Sequence, residues 1–86
     1  MSNKEFLTKA IQEVREYTLA HLDKSEPVPD FEVFVVWSCK TLQNHKALLS
    51  TTLSDGMYYE VTYNGDKKEA YLDAYKKFEN KVVMKG

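Results

Sequence analysis

The sequence has little of what disulfide-bonded, metal-binding or membrane-spanning proteins require. Cys39 is its one cysteine, so no disulfide forms within the chain and a cysteine-rich metal site is excluded. No stretch approaches the ~20 apolar residues of a membrane span, and the first residues lack the apolar run of a signal peptide. The three glycines stand apart from one another, which excludes a glycine-rich phosphate loop. We therefore expect a cytoplasmic protein without membrane contact.

The residues that are present predict one small globular domain over residues 1–86. Apolar residues make up 43% of the chain and aromatic residues 13%, which is enough to form a core. At this length, folding buries only about 60% of the surface of the unfolded chain, so we expect that core to be thin. The net charge of −1 provides no overall attraction to nucleic acid or to an anionic membrane.

Periodicity predicts a helix over about residues 3–22, followed by a linker over residues 23–30. Ser2 or Asn3 can cap the helix, and Pro27 and Pro29 end it because each removes a backbone donor. Apolar residues recur at spacings of three and four, and the side of the helix that we expect to be buried comprises Phe6, Leu7, Ala10, Ile11, Val14, Thr18 and Leu22.

Three strands are predicted next, at about residues 31–40, 46–54 and 57–64. A loop is expected at residues 41–45, and Asp55-Gly56 favours a hairpin turn. Alternation along the first strand defines one face, which comprises Phe31, Val33, Val35, Trp37 and Cys39. The opposite face of the sheet then carries Phe34, Val36 and Tyr58.

A second helix is predicted at about residues 66–80, after a turn at Asn64-Gly65. Asp66 followed by Glu69 is a variant of the capping box that begins many helices. The apolar stripe of this helix would consist of Ala70, Tyr71, Ala74, Tyr75 and Phe78.

Together these elements predict an α+β fold, an α-β-β-β-α two-layer sandwich in which a three-stranded antiparallel meander carries two helices packed on one face. The other face is then open, and Phe34, Val36 and Tyr58 form on it an apolar surface of the kind that binds a partner. Two alternatives stay open: the N-terminal arm or the proline segment covers this face, or a homodimer buries it.

The residues that commonly carry catalysis do not form a recognisable set. Cys39 is expected on the core side of its strand, where a cysteine behaves as a small apolar residue. His21 lies near a helix C-terminus, which favours an imidazolium ion. His21 and His45 with Asp23 or Asp55 have no spacing diagnostic of a metal site. We therefore predict no catalytic residues, no metal and no cofactor, and hence no enzyme.

Residues 33–80 resemble a family of small uncharacterised proteins encoded by tailed phages and prophages of Gram-positive bacteria. The resemblance is carried by Trp37 and by residues 39–44, 46–48, 50–52 and 55–80. It implies a phage-encoded accessory protein in the cytoplasm of a bacterial host cell, and it implies no particular activity.

The predicted order α-β-β-β-α is similar to that of double-stranded-RNA-binding domains. Lys67 and Lys68 at the start of the last helix resemble the lysines with which that family meets phosphates, and His45 falls where the family carries a minor-groove histidine. The resemblance implies a nucleic-acid surface at His45, Lys67 and Lys68. Lys76 and Lys77, which contribute to the basic bias of the last helix, complete the set predicted for nucleic-acid binding.

The sequence thus supports two hypotheses of different classes. The preferred one is a non-enzymatic protein-interaction module whose open sheet face binds an unknown host or phage protein, for example to inhibit a host or defence protein, or binds a second copy of the chain. The alternative is a nucleic-acid-binding domain that uses the lysines of the last helix. It is not favoured, because Asp66 and Glu69 place negative charge where phosphate would approach.

Overall fold

The computed structural model describes residues 1–22, 25–79, 81 and 83–84. Over these residues the chain forms α1 (Asn3–His21), β1 (Val33–Thr41), β2 (Asn44–Thr51), β3 (Met57–Asn64) and β4 (Glu69–Lys76). The strands pair antiparallel in the order β1-β2-β3-β4. The α+β class predicted from the sequence is confirmed, but the arrangement of three strands and two helices is wrong. None of the described residues forms a helix with the length and hydropathy needed to cross a membrane.

Helix α1 forms because its start is capped and its apolar residues share one side. The Ser2 side chain accepts a hydrogen bond from the Glu5 amide at 3.1 Å, which satisfies one of the donors left free at a helix N-terminus. Four residues at a spacing of four are buried under the helix: Phe6, Ala10, Val14 and Thr18. All seven residues predicted for the buried side are buried or half-buried.

The core lies between α1 and one face of the sheet, and its sheet side comes mainly from β2 and β3. Ala47, Leu49, Tyr59 and Val61 are almost fully buried there, and Val33 adds the contribution of β1. Because α1 contacts β1, β2 and β3, the core is one helix wide. Burial of these side chains, at roughly 25 cal/mol per Å² of apolar surface, is the main stabilising contribution.

A β-bulge in β1 reverses the faces predicted for the second half of that strand. Val35 lies opposite Leu49 and Trp37 lies opposite Leu48, so the register skips Val36. One extra residue turns every later side chain to the other face. Trp37 and Cys39 therefore lie on the face away from α1, and the prediction that they share the face of Val33 is wrong.

The connection between β1 and β2 is shorter than predicted. Thr41 pairs with Asn44, so the loop consists of Leu42 and Gln43 and not of residues 41–45. Leu42 has a φ of 56°, the left-handed conformation that short hairpin turns require. As a result, His45 belongs to β2 and not to a loop.

The segment predicted as a second helix is strand β4. It pairs with β3 at eight positions, from Met57 with Lys76 to Asn64 with Glu69. The same sequence fits the period of a helix and the period of a strand, because residues four apart, such as Tyr71 and Tyr75, share one side of a helix and one face of a strand. Pairing with β3 satisfies the backbone groups of that strand, and this outweighs a weak helix preference. Asn80, the predicted end of the helix, and residues 23 and 24 of the predicted linker lie outside the described residues.

The turn before β4 depends on Asn64, and Asp66 does not cap a helix. The Asn64 Oδ1 atom accepts hydrogen bonds from the amides of Asp66 and Lys67, at 3.0 and 3.2 Å. Asn and Asp side chains form such turns with their own backbone. In the described part of the chain, the Asp66 carboxylate forms neither a hydrogen bond nor an ion pair.

Asn64→Ala should therefore destabilise the protein by about 1 kcal/mol, since two turn hydrogen bonds are lost. Asp66→Ala should change the free energy of unfolding by less than about 0.5 kcal/mol, as is usual for an exposed side chain without contacts. Urea denaturation of both variants measures this. If Asp66→Ala has the larger effect, Asp66 caps a helix and the assignment of β4 is wrong.

His45 is buried beneath the start of α1, where it has a poor hydrogen-bond environment. Its ring stacks on Phe6 with centroids 4.9 Å apart, and its Nε2 atom lies 3.2 Å from the Met1 carbonyl oxygen. Its Nδ1 atom is buried and has no hydrogen-bond partner among the described residues. A buried polar atom without a partner destabilises the folded state.

His45→Phe should therefore raise the free energy of unfolding by about 1 kcal/mol, because the stack on Phe6 is kept and removal of the unpaired buried nitrogen outweighs loss of the 3.2 Å contact with the Met1 carbonyl oxygen. His21→Phe is the matched control: His21 is exposed at the end of α1, and its replacement should have little effect, because Phe keeps the stack on Tyr17 and only a solvent-exposed hydrogen bond with the Tyr17 carbonyl oxygen is lost. Thermal and urea unfolding of both variants provide the measurement. A lower stability of His45→Phe would show that the polar atoms of His45 stabilise the fold.

Candidate functional site

The candidate site is the open face, which we define as the sheet face opposite α1. Strand register assigns its residues in rows that run from β1 to β4. One row comprises Phe34, Ser50, Tyr58 and Tyr75. The next comprises Trp37, Leu48, Glu60 and Asp73, and the third Cys39, Lys46, Thr62 and Tyr71. The open face therefore combines apolar rings with a few charged groups near its centre.

Large aromatic side chains on this face remain about half exposed. Phe34 retains 46% of its accessible surface, Trp37 43% and Tyr75 52%. None of the described residues folds over them: Val28 and Pro29 line a pocket with Arg15 and Leu19, which places the proline segment beside α1. The alternative that this segment covers the open face is therefore wrong for its described residues.

A shallow groove crosses the open face from β1 to the end of β4. Its volume is about 620 Å³, and Trp37, Leu48, Tyr58, Glu60, Tyr75 and Phe78 are among its lining residues. Phe78, predicted to pack in a helix stripe, is instead 98% exposed beyond β4. Lys76, Lys77 and Glu79 lie along the same end of the groove. The arrangement offers aromatic walls with two carboxylates, those of Glu60 and Glu79, and two lysines among the lining groups.

Two carboxylates face each other on this surface. Glu60 of β3 and Asp73 of β4 are direct cross-strand partners, a placement that is unfavourable for like charges. Glu60 forms an ion pair with Lys46 at 3.5 Å, whereas Asp73 is exposed and has no ion-pair partner within the described residues. Nearby, a hydrogen bond to Glu69 raises the pKa of Tyr71. The middle of β4 thus carries negative charge between aromatic rings.

The residues predicted for partner binding are placed as follows. Phe34 and Tyr58 lie in one row of the open face. Val36 lies at the bulge and is about half exposed. Sequence reasoning missed Trp37 and Tyr75, because the bulge is not visible in the alternation and Tyr75 was assigned to a helix. The only sequence signal for their place on this face was that both are large aromatic residues in segments compatible with a strand.

The residues predicted for nucleic-acid binding are not brought together. His45 is buried, with 2% of its surface accessible, and cannot contact a ligand outside the core. Lys67 and Lys68 lie in the turn before β4, and Lys76 and Lys77 lie at the other end of that strand. Since the helix N-terminus on which the resemblance depended is a strand and a turn, the geometry of a double-stranded-RNA-binding domain is absent from the described residues.

Candidate catalytic and metal-binding residues are also far apart. Cys39 is exposed on the open face, whereas His45 lies on the opposite face under α1. His21 stacks on Tyr17 at the end of α1, and Asp23 lies outside the described residues. Among the residues that the structure describes, no group of three or more His, Cys, Asp or Glu side chains is arranged to hold a metal ion.

Comparison with known proteins gives a family without an assigned activity. Neither a curated protein nor a solved structure is significantly similar to the chain. The sequence model of a family of unknown function, DUF6275, matches residues 7–85, which include most of α1 and the whole sheet. The chain therefore belongs to the DUF6275 family.

Proposed function

We propose that the protein is a non-enzymatic protein-interaction module that binds its partner through the open face. The observation that carries this proposal is the set of half-exposed aromatic residues, Phe34, Trp37, Tyr71 and Tyr75, on a face that the described chain leaves uncovered. Folding alone gives no reason for this arrangement, because these rings would be more stable in a core.

The size of the open face is adequate for a specific interface. Each aromatic side chain contributes ~150–250 Å² when fully buried, so four half-exposed rings and Phe78 provide several hundred Å² of apolar surface. A standard protein interface buries ~800 Å² on each partner. The apolar surface of these rings lies at the upper end of the ~300–600 Å² found for the largest patch on a typical monomer, which is often functional, and their polar neighbours on β2 and β3 add to the area available to a partner.

The sequence resemblance to small phage proteins supplies the biological setting of the proposal. A phage or prophage accessory protein in a bacterial cytoplasm would meet host and phage proteins, and binding one of them would inhibit or scaffold it. A second copy of the chain is the other occupant that an apolar face admits. Nucleic acid is a poorer occupant, since Glu60, Glu69 and Asp73 on this face repel phosphates.

Replacing Phe34 by Glu should leave the fold intact and abolish partner binding, because a charge would enter the apolar interface. Leu42→Glu is the matched control: Leu42 is exposed in the β1–β2 turn, away from the open face. The two variants and the wild-type protein are compared by pull-down from host cells and by size-exclusion chromatography. We expect wild type and Leu42→Glu to retain the same protein or dimer and Phe34→Glu to lose it.

Trp37 provides a direct readout of the same event, because it is the single tryptophan of the chain and lies on the open face. Burial by a partner should shift its fluorescence emission to shorter wavelength. Circular dichroism checks that each variant is folded. Retention of the partner by folded Phe34→Glu, with no change in Trp37 emission on binding, would contradict the proposed function.

A further inference from the structure

We propose that the partner inserts a cationic side chain, an arginine or a lysine flanked by apolar residues, into the groove between Trp37 and Tyr75. This inference rests on the proposed function and specifies its partner by the charge and shape of the open face. The occupant is a protein segment and not a nucleic acid or a second copy of the chain.

The aromatic lining of the groove suits such a side chain. Trp37 from β1 and Tyr75 from β4 line the groove on either side of Leu48 and Tyr58. A guanidinium or ammonium group is attracted to the face of Trp and Tyr rings, and its aliphatic stem packs against the apolar floor. The same chain shows this contact internally, where the Arg15 guanidinium lies 5.1 Å from the centre of the Phe31 ring.

The carboxylates give the groove its preference for a cation. Glu60 is part of the groove lining and faces Asp73 on the next strand. Lys46, the ion-pair partner of Glu60, comes from β2, on the opposite side of Glu60 from Asp73. One lysine beside two opposed carboxylates leaves an excess of negative charge, which a second cation from a partner would neutralise with charge-assisted hydrogen bonds.

The lysines at the end of β4 do not cancel this charge. Lys76 pairs with Met57 and by strand alternation shares the α1 side of the sheet with Ala74 and Leu72. Lys77 lies four residues beyond Asp73, which corresponds to ~13 Å along a strand and exceeds a Debye length of ~8–10 Å. The open face is therefore acidic at Glu60, which lines the groove, and at its neighbour Asp73, and the groove is basic at the end where Lys77 lies. A segment that crosses the groove would place its cation beside Glu60 and Asp73, midway along β3 and β4.

The same charges argue against a second copy on this face. A two-fold axis near the centre of the sheet would bring Glu60 and Asp73 of both copies into one interface, and like charges within a dry interface are strongly unfavourable. Phosphate groups would meet the same carboxylates. A basic protein segment is the occupant whose charge complements this surface.

The test uses a surface-displayed library of random dodecapeptides, selected on the wild-type protein and on Glu60→Gln/Asp73→Asn. The control variant, Glu16→Gln/Glu26→Gln, changes the net charge equally on α1 and on the linker. We expect wild type and control to select peptides with arginine or lysine between apolar residues. The Glu60→Gln/Asp73→Asn protein should lose this basic preference. Phe34→Glu should select none of these peptides.

A double-mutant cycle makes the result quantitative. The best peptide and an analogue with citrulline for arginine, or norleucine for lysine, are titrated while Trp37 fluorescence is followed. The analogue should bind wild type at least about tenfold more weakly, and the difference should disappear on Glu60→Gln/Asp73→Asn. Circular dichroism and urea unfolding establish that the carboxylate variant is folded.

The other outcomes separate the two proposals. Peptides that depend on Phe34 but show no basic preference, or an analogue that binds as tightly as the parent, would overturn the cation proposal and leave the proposed function standing. Selected peptides that bind Phe34→Glu as well as wild type, or no selected peptides at all, would count against both.

Discussion

The packing of a single helix on the central strands is the contact on which the rest of the structure depends. Phe6, Ala10 and Val14 repeat at a spacing of four, so that one narrow side of α1 meets Leu49 and Val61. A helix is ~10 Å wide with its side chains, whereas four strands ~4.8 Å apart span more than that. One helix cannot cover such a sheet. The core is therefore confined to the space beneath α1, and the uncovered surfaces follow from this limit.

Strand β4 shows the consequence most clearly. Leu72 is its half-buried residue, and the remaining side chains of the strand are exposed. The strand is held by its pairing with β3 and by a hydrogen bond from the Lys77 amide to the Gly56 carbonyl oxygen, at 2.7 Å. Its place in the sheet thus rests on backbone hydrogen bonds more than on burial. This leaves its tyrosines and acidic residues available on the open face.

The parts of the fold that follow from local periodicity could be predicted from the sequence. The buried side of α1 was correctly identified residue by residue, because an amphipathic stripe over five turns fits no other structure. The segment from Glu69 to Phe78 was misassigned, because its tyrosines satisfy a helical and a strand period equally. The choice between helix and strand is decided by pairing with β3, and no local sequence pattern reveals that pairing.

A single-residue bulge limited what could be predicted of the site. Strict alternation after Val35 directs Trp37 to the core, whereas the extra residue at Val36 directs it to the open face. No residue type in this stretch marks the bulge, so the largest side chain of the site was assigned to the wrong face. Phe34 lies before the bulge, and its placement on the open face followed correctly from the alternation.

The features of the open face that oppose folding are those that a partner would use. A half-exposed tryptophan on a sheet and a carboxylate opposite another carboxylate each reduce the stability of a domain whose core is already thin. Departures of this kind from the rules of folding are expected where a surface serves binding. Here they coincide at one place, since Glu60 lines the groove beside Trp37 and Asp73 faces Glu60. The proposed partner, a basic and partly apolar protein segment bound across the open face, would account for both the charge and the exposed rings.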